Sequence, residues 1–110
     1  MKPSGSFVCN MNALSPGQRL RHGELARFLS SALIAAVELK NGYEFEFSME
    51  PATYDALTEI TPLEHACCPF FAIALEIGPH GDLCWRLTGG EGVKTFIRAE
   101  FGPWFEKAST

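Results

Sequence analysis

Val37-Glu38-Leu39-Lys40-Asn41-Gly42-Tyr43-Glu44-Phe45-Glu46-Phe47-Ser48 is the stretch from which the fold is read. Apolar and polar residues alternate on both sides of Asn41-Gly42, the period of a strand with one face buried. Asn-Gly between two such runs is the strongest short signal for a hairpin, because both residues tolerate the positive φ of a type I′ turn. The alternation assigns Val37, Leu39, Tyr43, Phe45, Phe47 and Met49 to the core and Glu38, Glu44 and Glu46 to solvent.

A second hairpin follows the same logic nearer the C-terminus. Phe71, Ile73, Leu75 and Ile77 alternate with Ala72, Ala74 and Glu76, Gly78-Pro79-His80-Gly81-Asp82 supplies the turn, and Leu83, Trp85 and Leu87 alternate with Cys84, Arg86 and Thr88. Helical periodicity fills the intervals. Ser15-Pro16-Gly17-Gln18 has the form of a capping box with proline in the first turn, and Leu25, Phe28, Leu29, Ala32 and Leu33 then share a helical face. Pro51 to Cys68 reads as a second helical region, in which Thr61-Pro62-Leu63-Glu64 resembles a fresh capping box and predicts a kink or restart. Pro69 closes that helix. Val93, Phe96, Ile97 and Phe101 form one face of a last helix, ended by Gly102-Pro103 and followed by a tail over 103–110. Phe7-Val8-Cys9 suits a short strand, and residues 1–6 read as a flexible start.

The expected fold is therefore α+β: a four-stranded antiparallel sheet of two hairpins, in the order α-ββ-α-ββ-α, with helices on one face. With 110 residues, 46% of them hydrophobic and 20% charged, the chain suits one domain over 1–110 and is too apolar for disorder. The other sheet face should show Glu38, Glu44, Glu46, Glu76 and Arg86 to water. Ala72, Ala74 and Cys84 are small and uncharged on that same face, which suits either cover by the N-terminal segment or by a second subunit of a homodimer, or a wet face on which short side chains are simply tolerated.

Charge and hydropathy narrow the function classes. The formal net charge of −4 argues against a nucleic-acid partner. The two predominantly apolar uncharged runs, Phe28 to Val37 and Ala66 to Leu75, have ten residues each, about half what a bilayer-spanning helix needs. The N-terminus carries no secretory pattern. The expected compartment is the cytoplasm, where the four cysteines are read as free thiols, ligands or redox groups before structural bridges.

Chemistry concentrates at Glu64-His65-Ala66-Cys67-Cys68-Pro69-Phe70-Phe71. On a helix Glu64 and Cys68 are four apart and His65 and Cys68 three apart, so each pair shares a face, with Cys67 turned about 100° away. Thiolates are soft donors and imidazole an intermediate one, a set suited to zinc or a heavier thiophilic ion, with Glu64 or His65 as auxiliary ligand or orienting group. The two-pair spacing of a structural zinc site is absent, so a further ligand must come from elsewhere: Cys9 first, His22 second, Cys84 third. Two other readings stand beside this one. Cys67 and Cys68 can be small buried hydrophobes under the following aromatic pair, in a partner-binding module without catalysis. Either can be the nucleophile of a thiol enzyme, although a helix C-terminus disfavours the thiolate and a bond between adjacent cysteines closes a strained ring.

Glu64-His65-Ala66-Cys67-Cys68-Pro69-Phe70, with Cys9-Asn10 and Ala13-Leu14-Ser15 upstream and two strands and a glycine-led helix downstream, resembles a small bacterial family of uncharacterised proteins. Its members read Glu-Arg-x-Cys-Cys-Pro-Phe, with Gly-Pro-x-Gly before the final helix, and are similar to reading frames found beside heavy-metal resistance genes. The resemblance spans most of residues 7 to 101. The chain departs from it with His65 in place of the arginine and Gly89-Gly90-Glu91-Gly92 in the second motif. It implies no activity, only a heavy-metal context.

Overall fold

The computed structural model describes residues 9–109. A single 3-10 turn, Met11–Ala13, precedes helix α1 (Pro16–Ala32), strands β1 (Leu33–Leu39) and β2 (Gly42–Ser48), helix α2 (Pro51–Cys67), strands β3 (Ala72–Ile77) and β4 (Asp82–Thr88), and helices α3 (Val93–Glu100) and α4 (Gly102–Ser109). The strands form one antiparallel sheet in the order β1-β2-β4-β3. This is the expected α+β fold with one helix more than the sequence periodicity gave. The strand assigned to Phe7-Val8-Cys9 and the flexible start assigned to residues 1–6 lie outside the described residues, apart from Cys9 itself.

The helix-covered face of the sheet carries the core. Phe45, Phe47, Leu83, Trp85 and Leu87 are fully buried on it. Leu29 of α1, Leu57 and Ile60 of α2 and Ile97 of α3 meet them. Helix α4 replaces the expected tail: Gly102-Pro103 ends α3 as predicted, but proline also suits the first turn of a helix, and here it opens a new one. That helix seats Trp104 edge-on to Phe45, with ring centroids 5.0 Å apart.

Three local features differ from the sequence reading for identifiable reasons. First, the register of β1 against β2 shifts between Leu33 and Ala35, a bulge that moves every later side chain to the opposite face. Val37 thus turns to the outer face and is 39% exposed, while Glu38, opposite Tyr43, lies on the helix side and pairs with Lys94 of α3. Second, the turn falls on Lys40-Asn41, with Leu39 and Gly42 as the closing pair. No described residue other than Gly81 and Gly92 has positive φ, so the turn is not type I′. Gly42 is needed for another reason: a Cβ there would collide with the backbone of Leu87 and Thr88 in β4. Third, α2 runs unbroken through Pro62. Thr61 Oγ1 donates to the Leu57 carbonyl (2.7 Å) and accepts from Trp85 Nε1 (3.0 Å), tying the proline turn to the sheet. Phe28 and Ile77, assigned to the core by period, sit at the margin and are 42% and 54% exposed.

On the outer face Arg86 donates to both Glu44 and Glu76 at 2.9 Å, in a ladder across three strands. Ala72 and Ala74 are exposed there, with no cover among the described residues. No helix among those residues is long and apolar enough to cross a membrane.

Candidate metal centre

The site forms where the C-terminal end of α2 meets α1 and the segment before the 3-10 turn. In the last turn of α2, Glu64 and Cys67 are three apart and point the same way, into the core, where they are 2% and 0% exposed. Cys68 has left the helix. Its backbone (φ −130°, ψ 68°) is not helical, so its side chain does not follow the helical phase and also turns inward, with 0% exposure. The shared face predicted for Glu64 and Cys68 is therefore corrected to Glu64 and Cys67, with Cys68 joining through its non-helical backbone.

Cys9 arrives from a segment fixed by backbone bonding. Asn10 N–H donates to the Cys67 carbonyl at 2.7 Å, which satisfies one of the acceptors a helix leaves open at its C-terminus. Arg19 holds the following turn by donating to the Met11 and Leu14 carbonyls, and Leu14 is buried in the core. Cys9 is bonded to Cys68 in a disulfide, with their Cα atoms 4.8 Å apart. The expectation of four free thiols is thereby corrected: it holds for Cys67 and Cys84 and fails for Cys9 and Cys68. Cys67 lies against that bond, its sulfur 3.8 Å from that of Cys68, and it contacts the Glu64 carbonyl at 3.7 Å. The sulfurs of Cys9, Cys67 and Cys68 and a Glu64 carboxylate oxygen all lie within 4.8 Å of one another.

Glu64 is not the capping residue read from Thr61-Pro62-Leu63-Glu64. Its Oε2 shares a hydrogen bond of 2.8 Å with Nε2 of His22, which α1 presents from the other side of the site. His22 is the group that sequence reasoning undervalued. It stands at the head of the series His22, Leu25, Ala26 and Leu29, the one-face spacing of an amphipathic helix, and that placement was the available signal. His65, by contrast, is exposed and borders a groove with Thr61, Pro62, Phe71 and Ile73, so it does not join the cluster. Cys84 is remote as well. It lies on the outer face of β4, with its sulfur 3.5 Å from Asp82 Oδ2.

A cavity of about 90 Å³ adjoins the sulfurs, with Met11, Ala26, Phe101 and Trp104 in its walls, and it reaches His22 and the exposed Glu100. That is room for a few water-sized groups. Burial among apolar walls, reinforced by the Glu64 carboxylate, pushes the Cys67 thiol up to about 11, so it is protonated at neutral pH. A thiol in this state is a poor nucleophile, which counts against Cys67 as the attacking group of an enzyme. A soft cation can still displace the proton, and the negative end of the α2 dipole favours positive charge here. With Cys9 and Cys68 reduced, the arrangement offers three sulfur donors and one carboxylate already held by an imidazole.

Comparison with the known protein families, the curated proteins and the solved structures finds no match for the chain.

Proposed function

We propose that the protein binds a soft metal ion through Cys9, Cys67 and Cys68 in their reduced state. Glu64 is an auxiliary oxygen donor or a charge held beside the ion, oriented by His22. The observation that carries this reading is the convergence of three sulfurs and a buried carboxylate, from two segments about sixty residues apart, within 4.8 Å. His22 holds the Glu64 carboxylate at 2.8 Å, so an oriented oxygen donor stands beside the sulfurs. A sulfur-rich set favours zinc, cadmium, mercury or monovalent copper over harder ions. Cytoplasmic thiols are kept reduced, and reduction is the state in which Cys9 and Cys68 can serve as donors.

The test is a titration of the phosphine-reduced, oxygen-free protein with cadmium(II), followed through the ultraviolet thiolate-to-metal absorption and by elemental analysis. One ion per chain is expected, with affinity falling at least tenfold in Cys67→Ser and in Cys9→Ser. A Cys9→Ser, Cys67→Ser, Cys68→Ser triple variant that retains the wild-type cadmium content would refute the assignment.

A further inference from the structure

The disulfide and the metal site use the same atoms. Cys9 and Cys68 are two of the three sulfur donors, and in the structure they are joined to each other. A disulfide sulfur carries no thiolate charge and is a weak ligand, so the bonded state leaves only Cys67 and the Glu64 carboxylate as donors. We infer that the centre is redox-gated: closing the Cys9–Cys68 bond expels the bound ion, and reducing that bond restores the site. This inference rests on the soft-metal reading above.

Two further observations shape the gate. The bond formed joins two segments, Cys9 to Cys68, whereas a bond between the neighbours Cys67 and Cys68 would close a strained ring. Cys67 remains a free thiol beside the bond, 3.8 Å from the Cys68 sulfur. Reduction also leaves the site assembled. The bond from Asn10 N–H to the Cys67 carbonyl, the Arg19 contacts to Met11 and Leu14 and the burial of Leu14 hold the Cys9 segment without help from the disulfide. The three sulfurs thus stay close in both states, and only the covalent link between two of them changes.

The oxidant is a small-molecule disulfide. One thiolate of the Cys9, Cys68 pair attacks it, forming a mixed disulfide and releasing one small thiolate. The second protein thiolate then attacks the protein sulfur of that mixed disulfide, forming the Cys9–Cys68 bond and releasing the other small thiolate. Two electrons pass from the cysteine pair to the oxidant, the ion leaves, and Cys67 takes up a proton from water. A dithiol reverses the exchange: it is oxidised to its cyclic disulfide as Cys9 and Cys68 regain their thiols.

The experiment loads the reduced protein with cadmium(II), removes the reductant, and adds oxidised glutathione with a chromophoric chelator present. Released cadmium is followed by absorbance, and the Cys9–Cys68 link by peptide mapping without reduction. One cadmium released for each link formed, with re-uptake after dithiothreitol treatment and removal of excess reagent, is the expected result. Cys67→Ser should still form the link, whereas Cys9→Ser should form none. Full cadmium occupancy in chains that carry the Cys9–Cys68 link would overturn the gate while leaving the metal reading intact. Failure of the reduced chain to take up cadmium at all would overturn the metal reading, and the gate with it.

Discussion

A carboxylate with 2% of its surface exposed needs a partner, and Glu64 finds one in the His22 imidazole at 2.8 Å. Glu64→Ala removes that partner and leaves space beside the sulfurs. It should cost roughly 1–3 kcal/mol, read from urea unfolding of the oxidised protein, while Glu64→Gln, which can keep a hydrogen bond to His22, should cost less. The cysteine on the far side of the sheet allows a separate residue-scale test. Burial, with Glu44 and Asp82 adding negative charge nearby, pushes the Cys84 thiol up to about 11 from an ordinary value of 9.0. The folded state therefore keeps this proton at a pH where the unfolded chain has lost it, and stability must fall as pH rises from about 9 through 11. At pH 10.5 the loss attributable to Cys84 is about 2 kcal/mol, so wild type should lose that much more than Cys84→Ala between pH 8 and pH 10.5 in parallel urea unfolding curves. Equal losses in the two proteins would show that the Cys84 thiol is not held neutral by the fold.

At the scale of elements, the seam between β2 and β4 joins the two hairpins, and Gly42 sits on it. A side chain at that position meets backbone, which cannot rotate away. Gly42→Ala should destabilise by about 2 kcal/mol or more, whereas alanine at Gly90, where an added Cβ meets nothing, should be close to neutral; thermal unfolding of the two variants makes the comparison. The same element shows where sequence reading works and where it stops. Both hairpins, the sheet and the three helices were legible because periods of two and 3.6 survive in single residues such as Phe45, Phe47, Leu25 and Leu29. The bulge after Leu33 was not legible. It inserts one residue without a glycine or proline to mark it, and beyond it the phase of Val37 and Glu38 is set by pairing with β2 rather than by their own alternation. Helix α4 was hidden because glycine and proline can end one helix and begin the next, and only the apolar surface around Phe45 decides between a tail and a helix. At the site, the convergence of Cys9 on Cys67 and Cys68 could be guessed from residue type. The covalent partner choice and the His22–Glu64 bond are contacts between distant segments, which local spacing does not encode.

For the whole molecule, two long-range devices close the fold where the N-terminal segment, α2 and α4 come together. One is apolar: Trp104 is 4% exposed and its indole meets Phe45, Phe101 and Trp85 at centroid distances of 5.0, 5.1 and 5.9 Å. Trp104→Ala should cost about 3–5 kcal/mol in equilibrium unfolding, the usual range for emptying a large aromatic site. The other is the Cys9–Cys68 bond, which joins residues separated by 59 positions. On the loop-entropy account, a link of that span lowers the entropy of the unfolded chain by an amount equivalent to about 4 kcal/mol of stability. Hydrogen bonds already hold the Cys9 segment in the native state, so reduction should act chiefly on the unfolded chain and leave the far-ultraviolet dichroism of the folded protein unchanged. The expected result is a wild-type unfolding midpoint that drops when a phosphine reductant is added, and a Cys9→Ser midpoint that is already low and insensitive to the reductant. A Cys9→Ser midpoint that matched oxidised wild type would mean that the link does not constrain the unfolded chain. A reduced protein that lost helix signal at native conditions would mean that the Asn10 backbone bond and the Arg19 side-chain bonds do not by themselves keep Cys9 beside α2. A metal site assembled from that segment requires that they do.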